Sequence, residues 1–340
     1  MKAIFLTKTG DPSKAFEIRE TEKPQIGPGE VLIKVAHFGL NYADVLGRLG
    51  IYPDRPPLPC VLGYEVAGKI EEIGEGVDPD LLGKNVAGFT RFGGYAEYAK
   101  TLAEGVTIIQ DESKLKESLG LITQGGTAYY CSHIVNNLFP GDIVLVHAAA
   151  GGVGSILVQL AKNAGCTVIG TCGSQEKVAF VKDLGADHVI NYQTSNYWEE
   201  VEKLVGKKKV RVTFNAIAGK SFKKDMSLLE PSGSVVLFGA SDRSGKKFGF
   251  FSTLNMVRQM GLIVPISFVM KSTSVIGVNM LRIGDYKTQL LKKSLDDMAQ
   301  LQEEGKIKIH LGGEFKVDEI AKAHELLGSR KSKGKIIVSW

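Results

Sequence analysis

Cysteine is scarce: four in 340 residues, Cys60, Cys131, Cys166 and Cys172, with no Cys-x-x-Cys pair. That excludes a disulfide-dense scaffold and is consistent with reduced thiols in a cytoplasmic protein. No long hydrophobic run is present either. The most apolar stretch, residues 248–270, is broken by Asn255, Arg258, Gln259 and Pro265, so no spanning helix and no stable membrane insertion are expected. No basic segment leads into an apolar core and a cleavage site, so no export signal is expected. Charge of one sign is weak as well. A net +5 with Lys/Arg clusters scattered at 207–209, 246–247 and 330–335 reads as solvated faces, and no nucleic-acid partner is expected.

What remains is an ordinary globular composition, 44% hydrophobic and 23% charged, in a chain long enough for two domains. Its organising stretch is residues 142–177. An apolar run at 143–146, short enough for a buried strand, breaks into Ala149, Gly151, Gly152 and Gly154. Ile156, Leu157, Leu160 and Ala161 then recur at helical spacing until Gly165, and a second apolar run follows at 167–170. Strand, glycine turn, helix and strand make one βαβ unit. The spacing Ala149-x-Gly151-x-x-Gly154 is the dinucleotide fingerprint with Ala at its first position. Chemically it provides a tight turn and a backbone without side chains, so that a pyrophosphate reaches the N–H groups of Ala150, Gly151, Gly152 and Val153 at a helix N-terminus.

The end of the second strand bears on which dinucleotide binds. An NAD site places Asp or Glu there for the ribose 2′-hydroxyl, but residues 171–175 carry no carboxylate. Gly173, Ser174 and Lys177 instead offer a backbone amide, a hydroxyl and an ammonium, which suit the 2′-phosphate of NADPH. The plainer alternative is that Lys177 only begins a solvated helix.

Along the chain, residues 1–100 read as strands and turns, with strands at 30–36, 63–73, 84–89 and 94–99 and a short helix at 42–47. Beyond residue 142, β and α segments alternate: strands at 188–192, 210–217, 234–239 and 274–278, helices at 197–205 and 222–229. Such alternation predicts a parallel sheet with helices on both faces. Ligands then sit at the strands' carboxyl ends, at Gly151–Gly154, Gly173, Tyr192, Asn215, Phe238, Gly239, Ala240, Ser241 and Gly277. Residues 248–270 show a helical period at Phe251, Leu254, Val257 and Met260, read as pocket lining and packing, with a dimer contact or a membrane-surface helix as alternatives. The tail predicts helices at 290–302 and 317–327 and strands at 306–309 and 335–338. The expected fold class is α/β: a doubly wound parallel sheet at 124–268, inserted into a mostly antiparallel β domain built from 1–123 and 269–340.

The sequence resembles the medium-chain dehydrogenase/reductase superfamily, in its zinc-independent quinone oxidoreductase branch and the vesicle amine transport and zeta-crystallin-like group. The likeness covers the whole chain. It is carried by Gly39-Leu40-Asn41-Tyr42-Ala43-Asp44, by Gly63-Tyr64-Glu65-Val66-Ala67-Gly68, by Gly126-Thr127-Ala128-Tyr129-Tyr130, by the 148–154 run, by residues 185–192 and by Gly334-Lys335. The resemblance implies a GroES-like catalytic domain around a Rossmann domain, a cleft for NADPH and a homodimer. Zinc alcohol dehydrogenases of this superfamily carry Cys near the position of Asn41 and His at that of Tyr64, so no metal is expected here.

Without a Lewis acid, the chemistry implied is hydride transfer from NADPH to a conjugated acceptor, a quinone or an α,β-unsaturated ketone. Asn41 is a candidate donor to the carbonyl or to the nicotinamide ribose, or a helix cap. Tyr52 falls where related enoyl reductases have a proton-donating Tyr, or is a packed loop aromatic. Thr127, Tyr130, Tyr192, Asn215 and Lys335 are carried over as cofactor contacts, Lys335 either pairing with a phosphate or standing exposed. Leu46 replaces a Tyr found in zeta-crystallin, a departure that bears on quinone preference. Enoyl-thioester reduction and a non-catalytic NADPH-binding adaptor are the alternative functions.

Overall fold

The computed structural model describes residues 1–241, 249–261 and 264–340, with the side chains of residues 249–253 and 256 outside the description. Phe248 and the side chain of Phe251, the first position of the expected helical period, therefore lie outside the described residues. The chain forms two compact units, Met1–Gly126 with Met280–Trp340, and Thr127–Asn279. The second boundary lies beyond the expected 268/269, because the strand Ser274–Gly277 hydrogen-bonds in parallel to Leu229–Leu237 and so belongs to the inserted unit.

In the first unit the strand Glu30–Leu40 is the spine. Its Val, Ile and Leu side chains are buried over most of its length, and it pairs antiparallel with Lys335–Ser339, Glu65–Ile73 and Tyr98–Leu102. Bulges between Leu32 and Ile33 and between Val35 and His37 bend it enough to serve three partners. Asn85–Phe89, Val106–Ile108 and Leu311–Lys316 complete a seven-stranded sheet, antiparallel except where Leu311–Lys316 runs parallel to Lys335–Ser339. Lys2–Leu6, Phe16–Glu20 and Cys60–Val61 form a small second sheet. Ile4, Leu6, Ile33, Phe38, Tyr95, Ile336 and Val338 meet in the core.

Two expected strands are displaced. The one read at 94–99 starts at Tyr98, because the backbone of Tyr95 is already engaged, accepting from Ile4 N and donating to Leu62 O. The one read at 306–309 lies at Leu311–Lys316, where the chain runs beside the last strand.

The inserted unit is a six-stranded, wholly parallel sheet. Its spatial order is His188–Asn191, Thr167–Cys172, Ile143–Val146, Val210–Asn215, Leu229–Leu237, Ser274–Gly277. Numbered along the unit, that is 3-2-1-4-5-6, the order of a dinucleotide-binding doubly wound sheet. Helices Gly152–Asn163, Gln175–Asp183, Tyr197–Val205 and Lys220–Leu228 form the crossovers. The order in which strands are added reverses between Ile143–Val146 and Val210–Asn215, which fixes the switch point beside the glycine turn.

The helices Gly249–Met260 and Ile266–Lys271 follow the fifth strand. Met260 packs against the core of the unit, but most of the other described apolar side chains of this stretch do not. Leu254, Val257, Val264, Ile266, Val269 and Met270 are all at least half exposed. Among the described residues no helix is long and apolar enough to cross a membrane.

Candidate active site

The glycine turn leaves the first strand of the parallel sheet through Ala148, whose φ of +50° starts the bend. Ala149 N donates to Thr171 O at 3.0 Å and Gly151 N to Ala148 O at 2.8 Å, tying the turn to the neighbouring strand. A Cβ at Gly154 would collide with the Ala148 carbonyl, so only glycine lets the helix start this close to the strand. The helix Gly152–Asn163 begins at Gly151 with no capping side chain. Its first-turn N–H groups have no intrahelical acceptors, which is the requirement for receiving an anion. Ala150 is buried at the turn and Gly151, Gly152 and Val153 are partly exposed.

At the end of Thr167–Cys172, Ser174 caps the helix Gln175–Asp183, its Oγ accepting from Lys177 N at 3.3 Å. The hydroxyl proton stays available for donation. Tyr192, 42% exposed, follows the third strand with its hydroxyl against the backbone of Gly173. Gly173, Ser174, Lys177 and Tyr192 thus form one neighbourhood, with no carboxylate in residues 171–175. Phe238 and Ser241 donate from their backbone nitrogens to Asn215 O and Ala216 O, which holds residues 238–241 over the fourth strand's end. Gly277 ends the sixth strand. Thr127 is buried and Tyr130 partly buried in the helical segment that opens the unit, away from the sheet ends in sequence.

Asn215 differs from its expected role. Its side chain is fully buried and fully used: Oδ1 accepts from Ile217 N and Ala218 N, while Nδ2 donates to Ser221 Oγ and Asp225 Oδ2. That exhausts the hydrogen-bonding capacity of an amide and leaves it no group for a cofactor. Asp225 also accepts from Tyr197 Oη at 2.8 Å and lies 2.9 Å from His147 Nε2, whose other ring nitrogen meets Thr171 Oγ1 at 3.1 Å. This buried network stitches the first, second and fourth strands beneath the glycine turn. Sequence reading missed it, because Asp225 lies in a helix with no motif around it.

In the other unit, Gly39-Leu40-Asn41 ends the spine strand and starts the helix Tyr42–Arg48. Asn41 N donates to Asp44 Oδ2 at 2.8 Å, the reciprocal half of a capping box. The Asn41 amide is 5% exposed, with Nδ2 donating to Glu65 Oε1 at 2.8 Å and Oδ1 accepting from Lys335 Nζ at 3.2 Å. Lys335 also contacts Glu65 Oε1 directly and donates to Leu40 O at 3.2 Å. Glu65 Oε2 accepts from Thr123 N at 2.8 Å. A Cβ at Gly39 would strike both the Glu65 carboxylate and the Lys335 stem, so glycine there makes the room for the pair. Lys335 is 1% exposed, so it is not the surface residue that was one alternative for it, and its ammonium is already engaged by Glu65, Asn41 and Leu40. Burial pulls its ammonium down to about 7, and the same desolvation raises the Asp44 carboxyl to about 7.

Tyr52 lies on the loop after that helix, partly buried, its ring edge-on to Tyr64 at a centroid distance of 6.2 Å. Tyr64 is 3% exposed and also packs on Phe92 at 5.1 Å. Among the described residues no three His, Cys, Asp or Glu side chains converge as a metal cluster. The positions that would carry zinc ligands hold Asn41 and Tyr64, and Glu65 is spent on Lys335, Asn41 and Thr123. This donor set does not fit zinc.

A parallel sheet of order 3-2-1-4-5-6 with a glycine turn at its switch point, inserted in sequence into a mostly antiparallel β unit, defines a dinucleotide-dependent oxidoreductase fold. Residues 27–111 match the family model described as "Alcohol dehydrogenase GroES-like domain", and residues 152–295 the one described as "Zinc-binding dehydrogenase". The chain is 30% identical to the 2-haloacrylate reductase of a Burkholderia species, over 99% of this chain and 98% of that protein. It is also 30% identical to the synaptic vesicle membrane protein VAT-1 homolog of Danio rerio, over 99% of this chain and 70% of that protein. The NADPH complex of Escherichia coli quinone oxidoreductase superposes over the full length of both chains with a TM-score of 0.87 at 26% identity. The chain belongs to the medium-chain dehydrogenase/reductase superfamily, in the branch of the quinone oxidoreductases and VAT-1 proteins.

Proposed function

We propose that this protein is a zinc-independent reductase that uses NADPH to reduce a quinone or an α,β-unsaturated carbonyl. The observation that carries the reading is the carboxylate-free end of the second strand, with Gly173, Ser174, Lys177 and Tyr192 beside an uncapped helix N-terminus. The helix N-terminus and the backbone of 150–153 receive the pyrophosphate. Ser174 Oγ and the Lys177 ammonium bind the 2′-phosphate, which an Asp or Glu at this strand end would repel.

When bound, NADPH supplies the hydride. The chain's own groups orient the acceptor and handle charge and proton. Glu65 and Lys335 fix both ends of the Asn41 amide, so its second Nδ2 hydrogen is the donor assigned to the acceptor oxygen as charge develops there. Tyr52 supplies the proton where reduction of a conjugated carbon–carbon bond requires one. The Burkholderia relative, a 2-haloacrylate reductase by name, supports an activated alkene as acceptor alongside quinones.

The reading includes a homodimer. Ser274–Gly277 is one of the two edge strands of the parallel sheet, without a second neighbour among the described residues, and its edge is where a second copy joins. Sedimentation giving a monomer at micromolar concentration would refute this. The function itself is tested by NADPH and NADH oxidation with chelator-treated protein against 9,10-phenanthrenequinone, an alkenal and a crotonyl thioester. NADPH-selective turnover is expected with the first two. Turnover of the thioester alone selects an enoyl-thioester reductase, and NADPH binding with no turnover selects the adaptor.

A further inference from the structure

Two alanines of the inserted unit sit in the left-handed backbone region that favours glycine: Ala148, where the glycine turn starts, and Ala218, after the fourth strand, at φ +60°. Such residues are strained and persist only where their surroundings over-determine them. Ala218 is held by its N–H, which donates to Asn215 Oδ1 at 2.8 Å. Ala148 directly follows His147, whose backbone N–H donates to Phe214 O at 2.9 Å and whose ring lies between Thr171 and Asp225. Both alanines are thus tied to the buried network around Asp225.

The polarity of that network is fixed from the backbone inward. Asn215 Oδ1 accepts two backbone N–H groups, so Nδ2 faces Ser221 Oγ and Asp225 Oδ2 as a donor. Tyr197 Oη has two neighbours that only accept, Ser221 O at 3.2 Å and Asp225 Oδ1 at 2.8 Å, and donates to the nearer. Burial, and then the Asp225 charge, push this phenol far above its ordinary range, so it keeps that proton. Both Asp225 oxygens therefore accept, and His147 Nε2, 2.9 Å from Oδ1, completes the set as an N–H donor. One fully buried carboxylate receives a donor from the end of the first strand, from the end of the fourth, and from the helix after the third. It reaches the second strand through His147 and Thr171.

These strand ends carry the segments assigned to the cofactor. His147 precedes the glycine turn, and Thr171 stands two residues before Gly173 and three before Ser174. Asn215 holds Ile217 and Ala218 with its side chain and Phe238 N with its carbonyl. We propose that Asp225 is a positioning residue for NADPH: too deeply buried to meet a ligand, it draws His147, Asn215 and Tyr197 onto one anion and so sets the spacing of the pyrophosphate turn, the 2′-phosphate end and residues 216–218. The proposal rests on the reading of this unit as an NADPH site and is independent of which acceptor is reduced.

The test is NADPH binding by fluorescence titration in wild type, Asp225→Asn, Thr171→Val and the exchange Asn215→Asp/Asp225→Asn, each with its urea unfolding curve. In Asp225→Asn an amide NH2 must face either the Asn215 NH2 or the Tyr197 and His147 donors, so donors oppose each other in either orientation. NADPH affinity should fall about tenfold in protein that is still folded. The exchange gives every donor an acceptor again. The carboxylate at 215 still accepts from Ile217 N and Ala218 N, and it receives the amide of 225, whose carbonyl accepts from Tyr197 and His147. The Ser221 hydroxyl, which donates to Ala218 O, turns its proton to that carboxylate. Affinity should return to within about twofold of wild type. Thr171→Val keeps the side-chain shape, removes only the bond to His147, and should weaken NADPH about threefold; it carries the test if Asp225→Asn does not fold. Wild-type affinity in folded Asp225→Asn or, failing that variant, in Thr171→Val would overturn the proposal and leave the network a device for stability alone. A loss that the exchange does not recover would overturn it too, because the hydrogen-bond pattern would then not be its cause. No NADPH binding by the wild type would remove the cofactor reading itself, and the proposal with it.

Discussion

Lys335 and Glu65, 270 residues apart in the chain, form an ion pair in which neither side chain reaches water. Two buried charges persist only when paired and hydrogen-bonded. Here the remaining partners are Leu40 O, the Asn41 amide and Thr123 N.

Lys335→Met should therefore act on stability. It leaves a carboxylate buried without its cation, at a cost of about 3–5 kcal/mol. Thermal or urea unfolding should show this loss, and Lys335→Met/Glu65→Gln should recover part of it. Direct titration should show NADPH affinity changed less than about threefold. A stable single variant with weak NADPH binding would return Lys335 to the cofactor.

Cofactor choice should depend on Ser174 and Lys177. Lys177→Ala should weaken NADPH binding about tenfold and leave NADH nearly unchanged, the loss of one charged contact to phosphate. Ser174→Asp should invert the preference by placing a carboxylate against the 2′-phosphate and beside a 2′-hydroxyl. Fluorescence titration with both cofactors checks each.

Asn215→Ala should destabilise the inserted unit by about 2–4 kcal/mol, because it strips two buried acceptor contacts from Ile217 N and Ala218 N and two donors from Ser221 and Asp225. The measurement is urea unfolding followed by circular dichroism. A variant as stable as wild type would mean water replaces the amide.

His324 gives a pH dependence with a defined sign. It is fully buried against Phe16 and Tyr95, and burial first, then the nearby Arg48 charge, hold its pKa down to about 3. Below the ordinary value near 6.5 the unfolded chain gains a proton that the folded chain refuses. Stability from this site is complete above pH 6.5 and falls by up to about 1.4 kcal/mol per unit as pH drops toward 3. Asp44, raised to about 7, works in the opposite sense: the folded form holds a proton the unfolded chain has lost, so its contribution falls as pH rises from about 4 to 7. His324→Gln keeps a partner for Tyr95 and removes the first effect only. Relative to wild type, its stability should improve steadily from pH 6.5 to 4. A constant difference across that range would refute the assignment.

All four cysteines are buried, and burial raises every thiol, Cys166 to about 11. Ellman's reagent should label none of them quickly in the native protein and all four in urea. Fast labelling of any one before unfolding would contradict this.

The glycine turn was legible because everything it needs is local: a strand, Ala149, Gly151, Gly154 and a helix within about twenty residues. The absence of a carboxylate around Ser174 and Lys177 was legible for the same reason, since it is a sequence fact. Asn215 and Lys335 were not. Each was expected beside a cofactor, yet the partners that consume their polar atoms, Asp225 in a helix and Glu65 on another strand, carry no spacing signal that links them. The strand expected at 306–309 was displaced because its choice of position depends on the partner Lys335–Ser339, which propensity does not see.

By itself, then, the sequence determined the two-unit α/β architecture, the superfamily and the glycine turn, because hydrophobic period, turn residues and backbone clearance act over a few residues. Only the tertiary structure decided which polar side chains have capacity to spare. Hydrogen bonds and desolvation depend on what a group meets across the fold. Thus Asn215 and Lys335 proved to be consumed in buried networks, and Tyr64, marked in the sequence only as the residue at a zinc-ligand position, proved to be the neighbour of Tyr52.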